Sequence, residues 1–336
     1  MAIRLGLFGA GHLGKIHLKL LKEIPDFELV GFFDTDPSVR ESVAADMDVP
    51  AFSDQASLLA EIEAADIVTP TPSHFGLAEA ALKRGLHVFM EKPATETVEE
   101  AQALLALLEE RADLVAQVGH VERFNPAFLA VKDRGLKPMF IEGHRLAQYN
   151  PRGTDVSVVH DLMIHDLDVI LSLVDAPVSA VSASGVAVVS DTPDIANARI
   201  EFTNGCVANL TASRISMKNM RRLRMFQKNR YLAVDFLKKQ AEILHLSDTD
   251  DGAAEPGKLK MAFEKGEGSR YLIFEQPTVE AVNAIKMELE SFATAIRGEA
   301  AVPVSLQDGY KALVLAERIR EEMQLRQDAY DQQHKV

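Results

Sequence analysis

The sequence predicts two domains: a parallel α/β domain first, then an α+β domain built on an open, predominantly antiparallel sheet. Three observations predict it. Across the first 120 residues, short apolar runs alternate with helical patterns, which is the signature of βαβ units. The first apolar run feeds straight into a glycine loop, Gly9-Ala-Gly11-His12-Leu13-Gly14. Past residue 175, strand-like runs succeed one another with few helical patterns between them, and strands without crossover helices pair antiparallel. The boundary is expected at 121/122, giving domains 1–121 and 122–336.

In the first domain the expected strands are Ile3–Phe8, Glu28–Asp34, Asp66–Thr69, His87–Glu91 and Leu114–Val118. Helical patterns cover Gly14–Lys22, Ser57–Ala64 and Phe75–Arg84, and the longest helix is expected at Val98–Arg111. The second domain opens with an apolar helix over Val158–Val174. Strands are expected at Val178–Val189, Ala196–Phe202, Cys206–Ile215, Leu223–Gln227, Tyr231–Phe236 and Tyr271–Glu275. Asn204-Gly205 is a hairpin signal between two of them. Ser247–Lys258, acidic and holding Pro-Gly, reads as an exposed loop. Helical patterns return at Val279–Arg297 and Leu306–Gln327, and the polar tail after them is expected to fray.

Composition narrows the function. The 336 residues carry 36 Lys and Arg against 50 Asp and Glu, a net charge of −14. That sign argues against nonspecific binding to nucleic acid or an anionic membrane. The single cysteine, Cys206, excludes an internal disulfide and fits a reducing compartment. No stretch approaches the roughly 18 apolar residues that span a bilayer, so the expected location is cytoplasmic. The histidines are scattered without HxH, HExxH or Cys/His spacing, so no metal site is expected.

The glycine loop carries the strongest functional signal. It follows a strand and opens an amphipathic helix, the setting of a Rossmann dinucleotide fingerprint. Its glycines serve a tight turn, close approach to a pyrophosphate, and helix–strand packing, with the diphosphate on free N–H groups of the helix. Twenty residues past Gly14, Asp34 closes the second strand, where a carboxylate suits a ribose diol and repels a 2′-phosphate. NAD is therefore expected over NADP. Thr69-Pro70-Thr-Pro-Ser-His74 and Glu91-Lys92-Pro93 end later strands at the same carboxyl edge.

The helix Val158–Val174 sets Asp161, His165, Asp168 and Ser172 at steps of 4, 3 and 4, which predicts one polar stripe. His165 beside Asp161 has the makings of an oriented general base, and equally of a structural histidine. His160 and Asp166 are expected to be structural.

Together, Gly9-x-Gly11-x-x-Gly14, Thr69-Pro70-x-x-x-His74, Glu91-Lys92-Pro93 and Asp161-x-x-x-His165 resemble the glucose–fructose oxidoreductase/inositol dehydrogenase family in order and spacing. The resemblance spans essentially the whole chain. It implies a bound nicotinamide cofactor, a homo-oligomer (dimer or tetramer) built through the C-terminal sheet, and Lys92 facing the reacting carbon. It implies oxidation of a secondary alcohol, with His165 taking the proton, Asp161 supporting it and Lys92 polarising the oxygen, or Lys92 and His165 in exchanged roles.

Two segments bear on the substrate. Gly119-His120-Val-Glu122-Arg123-Phe-Asn125-Pro126 lies where the chain leaves the first domain, so its polar side chains can meet a sugar or form a hinge salt bridge. Ala212–Arg224, including Arg214, holds five Arg or Lys and suits a diphosphate or a solvated sheet edge. Both resemble the branch of the family that acts on nucleotide sugars. That resemblance implies oxidation of the 3-hydroxyl of UDP-N-acetylglucosamine on the lipid A route to a 3-amino sugar. The rivals are a dehydrogenase of a free sugar or inositol, an NAD-dependent glycosidase, and a non-catalytic cofactor-sensing protein.

Overall fold

The computed structural model describes residues 1–150, 156–248, 258–265 and 268–333. The chain opens with β1 (Ile3–Phe8), α1 (His12–Leu21), β2 (Phe27–Phe33), α2 (Pro37–Met47), α3 (Gln55–Leu59) and β3 (Ala64–Ile67). α4 (His74–Lys83), β4 (His87–Glu91), α5 (Val98–Glu109) and β5 (Ala116–Gly119) follow. The five strands are all parallel, in the order β2-β1-β3-β4-β5. β3 and β5 are buried along their whole length, as strands covered on both faces must be. The order reverses between β1 and β3, the switch point where such sheets bind ligands at the carboxyl ends of their strands.

Local chemistry explains the helix starts. Asp36 caps α2 through the Ser38 N–H, with Pro37 in the first turn. Thr97 and Glu100 form a reciprocal capping box at α5. α2 lay outside the expected elements because it buries only Val43 and so shows no apolar stripe. The helix expected over Ser57–Ala64 ends at Leu59, and Ala64 instead begins β3.

The second half begins with α6 (Pro126–Lys132) and β6 (Phe140–Leu146). A π-helical turn over Val159–Met163 leads into α7 (Ile164–Leu173). The strands β7 (Val178–Val186), β8 (Ile195–Phe202), β9 (Val207–Ser213), β10 (Met220–Gln227) and β11 (Arg230–Asp235) come next. They are followed by β12 (Gln240–Ser247), β13 (Lys258–Lys265) and β14 (Gly268–Glu275). Among the described residues these strands and β6 form one open sheet, β13-β14-β12-β11-β10-β6-β9-β8-β7. Its pairings are antiparallel except β6 with β9. Gly205, at φ +85°, turns the β8–β9 hairpin, and the Asn204 side chain accepts the Cys206 N–H at 3.0 Å. Residues 249–257 of the expected acidic loop lie outside the described residues; its ends, Ser247 and Lys258, belong to β12 and β13.

α8 (Ala284–Ile296) and α9 (Leu306–Gln333) close the chain. α9, at 28 residues, is the longest described helix, exceeding the expected Val98–Arg111, and it runs on through Asp328 to Gln333. The chain forms two compact units: Met1–Val121 with Asn283–Val314, and Glu122–Val282 with Leu315–Val336. The expected second domain, 122–336 in one piece, is thus interrupted, because α8 joins the first unit's core. Leu289, Phe292 and Ala293 are buried among Leu5, Leu18, Phe27 and Phe89. Phe292 meets the Phe89 ring edge-on at 5.9 Å. The turn before α9 also adds to this sheet's edge, with the Val118 N–H donating to Val304 O at 3.0 Å.

Candidate active site

In the first unit the glycine loop joins β1 to α1, and packing dictates its residues. Gly9 has φ +94°, and a Cβ there would come within 2.8 Å of the Thr69 backbone nitrogen. A Cβ on Gly14 would lie 1.9 Å from Gly9 O, so no side chain is tolerated. Gly11 is different: a Cβ there would meet nothing within 4 Å. The protein itself does not require that glycine, whereas a ligand closing on the backbone does.

The loop fits a dinucleotide diphosphate in two further ways. α1 has no side-chain cap and no acidic residue in its first turn, which leaves its N–H groups and positive dipole end available to an anion. The buried Thr69 hydroxyl has no hydrogen-bond partner among the described residues, as expected of a group that a ligand satisfies. Asp34 is anchored against the loop: Oδ2 accepts the Ala10 N–H at 2.8 Å and Oδ1 the Asp36 N–H at 3.0 Å. Arg40 donates to the Asp34 carbonyl at 2.6 Å. His12 is exposed and Leu13 half-buried at the head of α1.

The Thr69 and Glu91 segments are tied together. His74, expected at the cofactor, is 1% exposed and spans Pro93 O at 3.0 Å and Thr69 O at 2.8 Å. It acts as a clamp that sets Thr69-Pro70 against Glu91-Lys92-Pro93. Lys92 and Glu91 are half-buried at the carboxyl end of β4, and His120 is buried just beyond β5. All of these stand at the carboxyl edge of one sheet.

In the second unit, Asp161 lies in the π turn and His165 at the start of α7, both half-buried. π turns recur at functional sites because the inserted residue re-aims the side chains around it. The expected four-residue stripe is not continuous. Asp168 is buried and takes a bidentate pair from Arg123, at 2.7 and 3.2 Å. Ser172 is exposed and its hydroxyl donates to Val169 O. His160 pairs with Glu317 at 2.9 Å, and Asp166 with Arg145 at 2.8 Å, so both have the structural roles expected of them.

Several residues expected around a sugar have hydrogen bonds and ion pairs within the protein. Arg145 is buried between Asp166 and Glu122, the latter at 2.8 Å. Burial alone would lower its guanidinium, but the two carboxylates outweigh that and raise it. Asn125 caps α6 through the Ala127 N–H and donates to Glu122 and to Phe236 O. Glu122 and Arg123 thus form ion pairs, and Asn125 hydrogen bonds, with partners inside this same unit. Of the basic run, Arg222 pairs with Glu242 at 2.9 Å, Arg224 with Glu142, and Arg221 lies 3.7 Å from Glu122. Arg214 is buried and donates to Val156 O at 2.5 Å.

Sequence reasoning missed Arg145, because β6 alternates Ile141, Gly143 and Arg145 on its buried face and so lacks an apolar pattern. It also missed His17, buried in α1 at 2.9 Å from Asp66. The signal for the second was an aspartate inside the four-residue strand β3, where only a paired charge is tolerated. Among the described residues, no three His, Cys, Asp or Glu are grouped as a metal would need, and no helix is long and apolar enough to cross a membrane.

A parallel sheet bearing this glycine loop, with the Asp34 carboxylate anchored against it, defines a dinucleotide-binding Rossmann domain. The comparison with known proteins makes the class specific. Residues 3–120 match the model of the GFO/IDH/MocA oxidoreductase family, NAD-binding Rossmann fold, and residues 138–229 match the GFO/IDH/MocA C-terminal domain. The UDP-N-acetylglucosamine 3-dehydrogenase of Acidithiobacillus ferrooxidans is 43% identical over 72% of this chain and 77% of its own. Its solved structure aligns at a TM-score of 0.84 and 36% identity, covering 96% of this chain and 98% of that one. The scyllo-inositol 2-dehydrogenase (NAD(+)) of Bacillus subtilis is 31% identical over 64% of this chain and 68% of its own. The chain belongs to the GFO/IDH/MocA family of NAD-dependent sugar oxidoreductases.

Proposed function

We propose that this protein oxidises the 3-hydroxyl of UDP-N-acetylglucosamine to a ketone, which a later aminotransferase converts to a 3-amino sugar. The observation that carries the reading is the alignment, over 72% of the chain in sequence and 96% in fold, with an enzyme named for that reaction. Bound NAD supplies the hydride acceptor. The chain's own residues manage the proton and the oxygen. The imidazole of His165 takes the hydroxyl proton, and Asp161 supports the charge that results. The Lys92 ammonium donates a hydrogen bond to the oxygen as its negative charge develops. The glycine loop, Thr69-Pro70 and Asp34 hold the dinucleotide.

A homo-oligomer formed through the large sheet is part of the same proposal. Phe140, Phe226 and Tyr231 sit side by side on the sheet face opposite Ile141 and Leu223, with ring centroids 5.8 and 5.1 Å apart. Light scattering on a sizing column reads the copy number directly.

The test is NADH absorbance with UDP-N-acetylglucosamine, alone and coupled to an aminotransferase, against free N-acetylglucosamine and inositol. Growth with the nucleotide sugar supports the reading, and growth with inositol alone refutes it. A glycosidase would turn the sugar over without net NADH, and a sensor would bind without turnover. Lys92→Ala and His165→Ala should each lower kcat by about 100-fold or more, with NAD affinity by calorimetry retained. Wild-type turnover in both would remove these residues from the mechanism.

A further inference from the structure

Behind the Glu91–Lys92 turn, α1 sends in a side chain for which cofactor binding has no use. His17 is fully buried. Its Nδ1 lies 2.9 Å from Asp66 Oδ2 on β3, and its Nε2 lies 3.4 Å from Glu91 Oε1 at the end of β4. The other Glu91 oxygen, Oε2, accepts the backbone N–H of Lys92 at 3.2 Å. Across from it, a Cβ at Gly119 would come within 2.9 Å of the Glu91 carboxyl carbon, so β5 presses on the same group. Glu91 is therefore held by α1, by β5 and by the residue that follows it.

A lock between α1 and the sheet would need only the Asp66 contact, and an apolar pair would serve it at lower desolvation cost. The second ring nitrogen instead faces the carboxylate that holds the start of Lys92. Burial alone would lower the imidazole, but Asp66 and Glu91 outweigh it and hold His17 up to about 10. The protonated ring hydrogen-bonds to Asp66 through Nδ1 and turns Nε2 toward Glu91 at ion-pair distance, without the geometry of a hydrogen bond.

We propose that His17 is a positioning residue for Lys92, acting through the Glu91 carboxylate, so that the Asp66–His17–Glu91 chain fixes Lys92 relative to the glycine loop. That loop opens the same helix, five residues before His17, or about 8 Å along its axis. Helix α1 therefore carries both the dinucleotide loop and the residue that places the lysine. The inference rests on the role proposed for Lys92, and it adds the reason the lysine stays in register with the cofactor loop.

The experiment compares His17→Gln, Glu91→Gln, the double variant and Lys92→Arg with His87→Gln. His87 sits at the opposite end of β4, where its Nδ1 accepts the Val115 N–H, so its loss reports general destabilisation. His17→Gln should lower kcat by about 10- to 100-fold, the scale of a small misplacement of a reacting group, with NAD affinity by calorimetry unchanged. The double variant should lose no more than the larger single loss. A second readout needs no turnover: isotope-labelled methyl groups on the lysines, with the Lys92 resonance assigned by its absence in Lys92→Arg. That resonance should move in His17→Gln and Glu91→Gln and stay in place in His87→Gln. A folded His17→Gln protein whose Lys92 resonance moves no more than in His87→Gln overturns the proposal. Wild-type kcat in Lys92→Arg would instead count against the role given to Lys92, while the resonance still decides whether His17 positions it.

Discussion

His17 gives the first unit a charge that titrates far from its ordinary range. Its pKa is raised from 6.5 to about 10, so the stability it contributes is complete below the unfolded value and is lost as the pH climbs through about 10. Unfolding free energy measured with urea should therefore fall between these limits, and the fall should flatten in His17→Gln. An unchanged slope would show that the charge resides elsewhere. Asp34 is the second residue whose charge decides something. Asp34→Asn keeps an acceptor for the Ala10 N–H while removing the carboxylate that would face a 2′-phosphate. The preference in kcat/KM for NAD over NADP should narrow by about tenfold or more, or roughly 1.4 kcal/mol. An unaltered preference would place the discrimination on other groups.

Among the elements, the one most dependent on a single side chain is β6 with its neighbours. Arg145 joins β6 to Asp166 on α7 and to Glu122 ahead of α6, and all three groups are buried. Arg145→Met would strand two carboxylates and should cost about 3–5 kcal/mol, read as a lower urea midpoint. A loss within about 0.5 kcal/mol would mean that water reaches them. The same strand shows where sequence reading stops. β1 and β4 were legible to the residue, since apolar runs bounded by a glycine loop and a proline leave little freedom. β6 was not, because a glycine and a charged arginine occupy its inward positions. The glycine loop and the Lys92 turn stand out in the sequence because each is a contiguous motif, and Asp34 because it closes a strand at the distance the dinucleotide fingerprint sets. The hydrogen-bond commitments of Glu122, Arg123, Asn125 and His74 do not, because each depends on a partner 19 or more residues away in sequence.

For the whole molecule, the order of elements matters more than any one of them. The chain builds a parallel sheet, leaves it for a large antiparallel one, and then returns α8 to the first core through Leu289 and Phe292. That return was hidden because an amphipathic helix does not announce which sheet it covers. The NAD fingerprint is legible in the first 120 residues, and the family in motifs on both halves of the chain, each half matched by a family model. The choice of sugar and of hydroxyl is not, and it is the claim most in need of a direct experiment. The measurement is hydride tracing with UDP-N-acetylglucosamine deuterated only at carbon 3, followed by mass analysis of the nicotinamide product. The deuterium should appear on the NADH, and a 3-keto sugar nucleotide should accumulate or be trapped as its amine. Protiated NADH from that substrate, or deuterium that stays with the sugar, would contradict it.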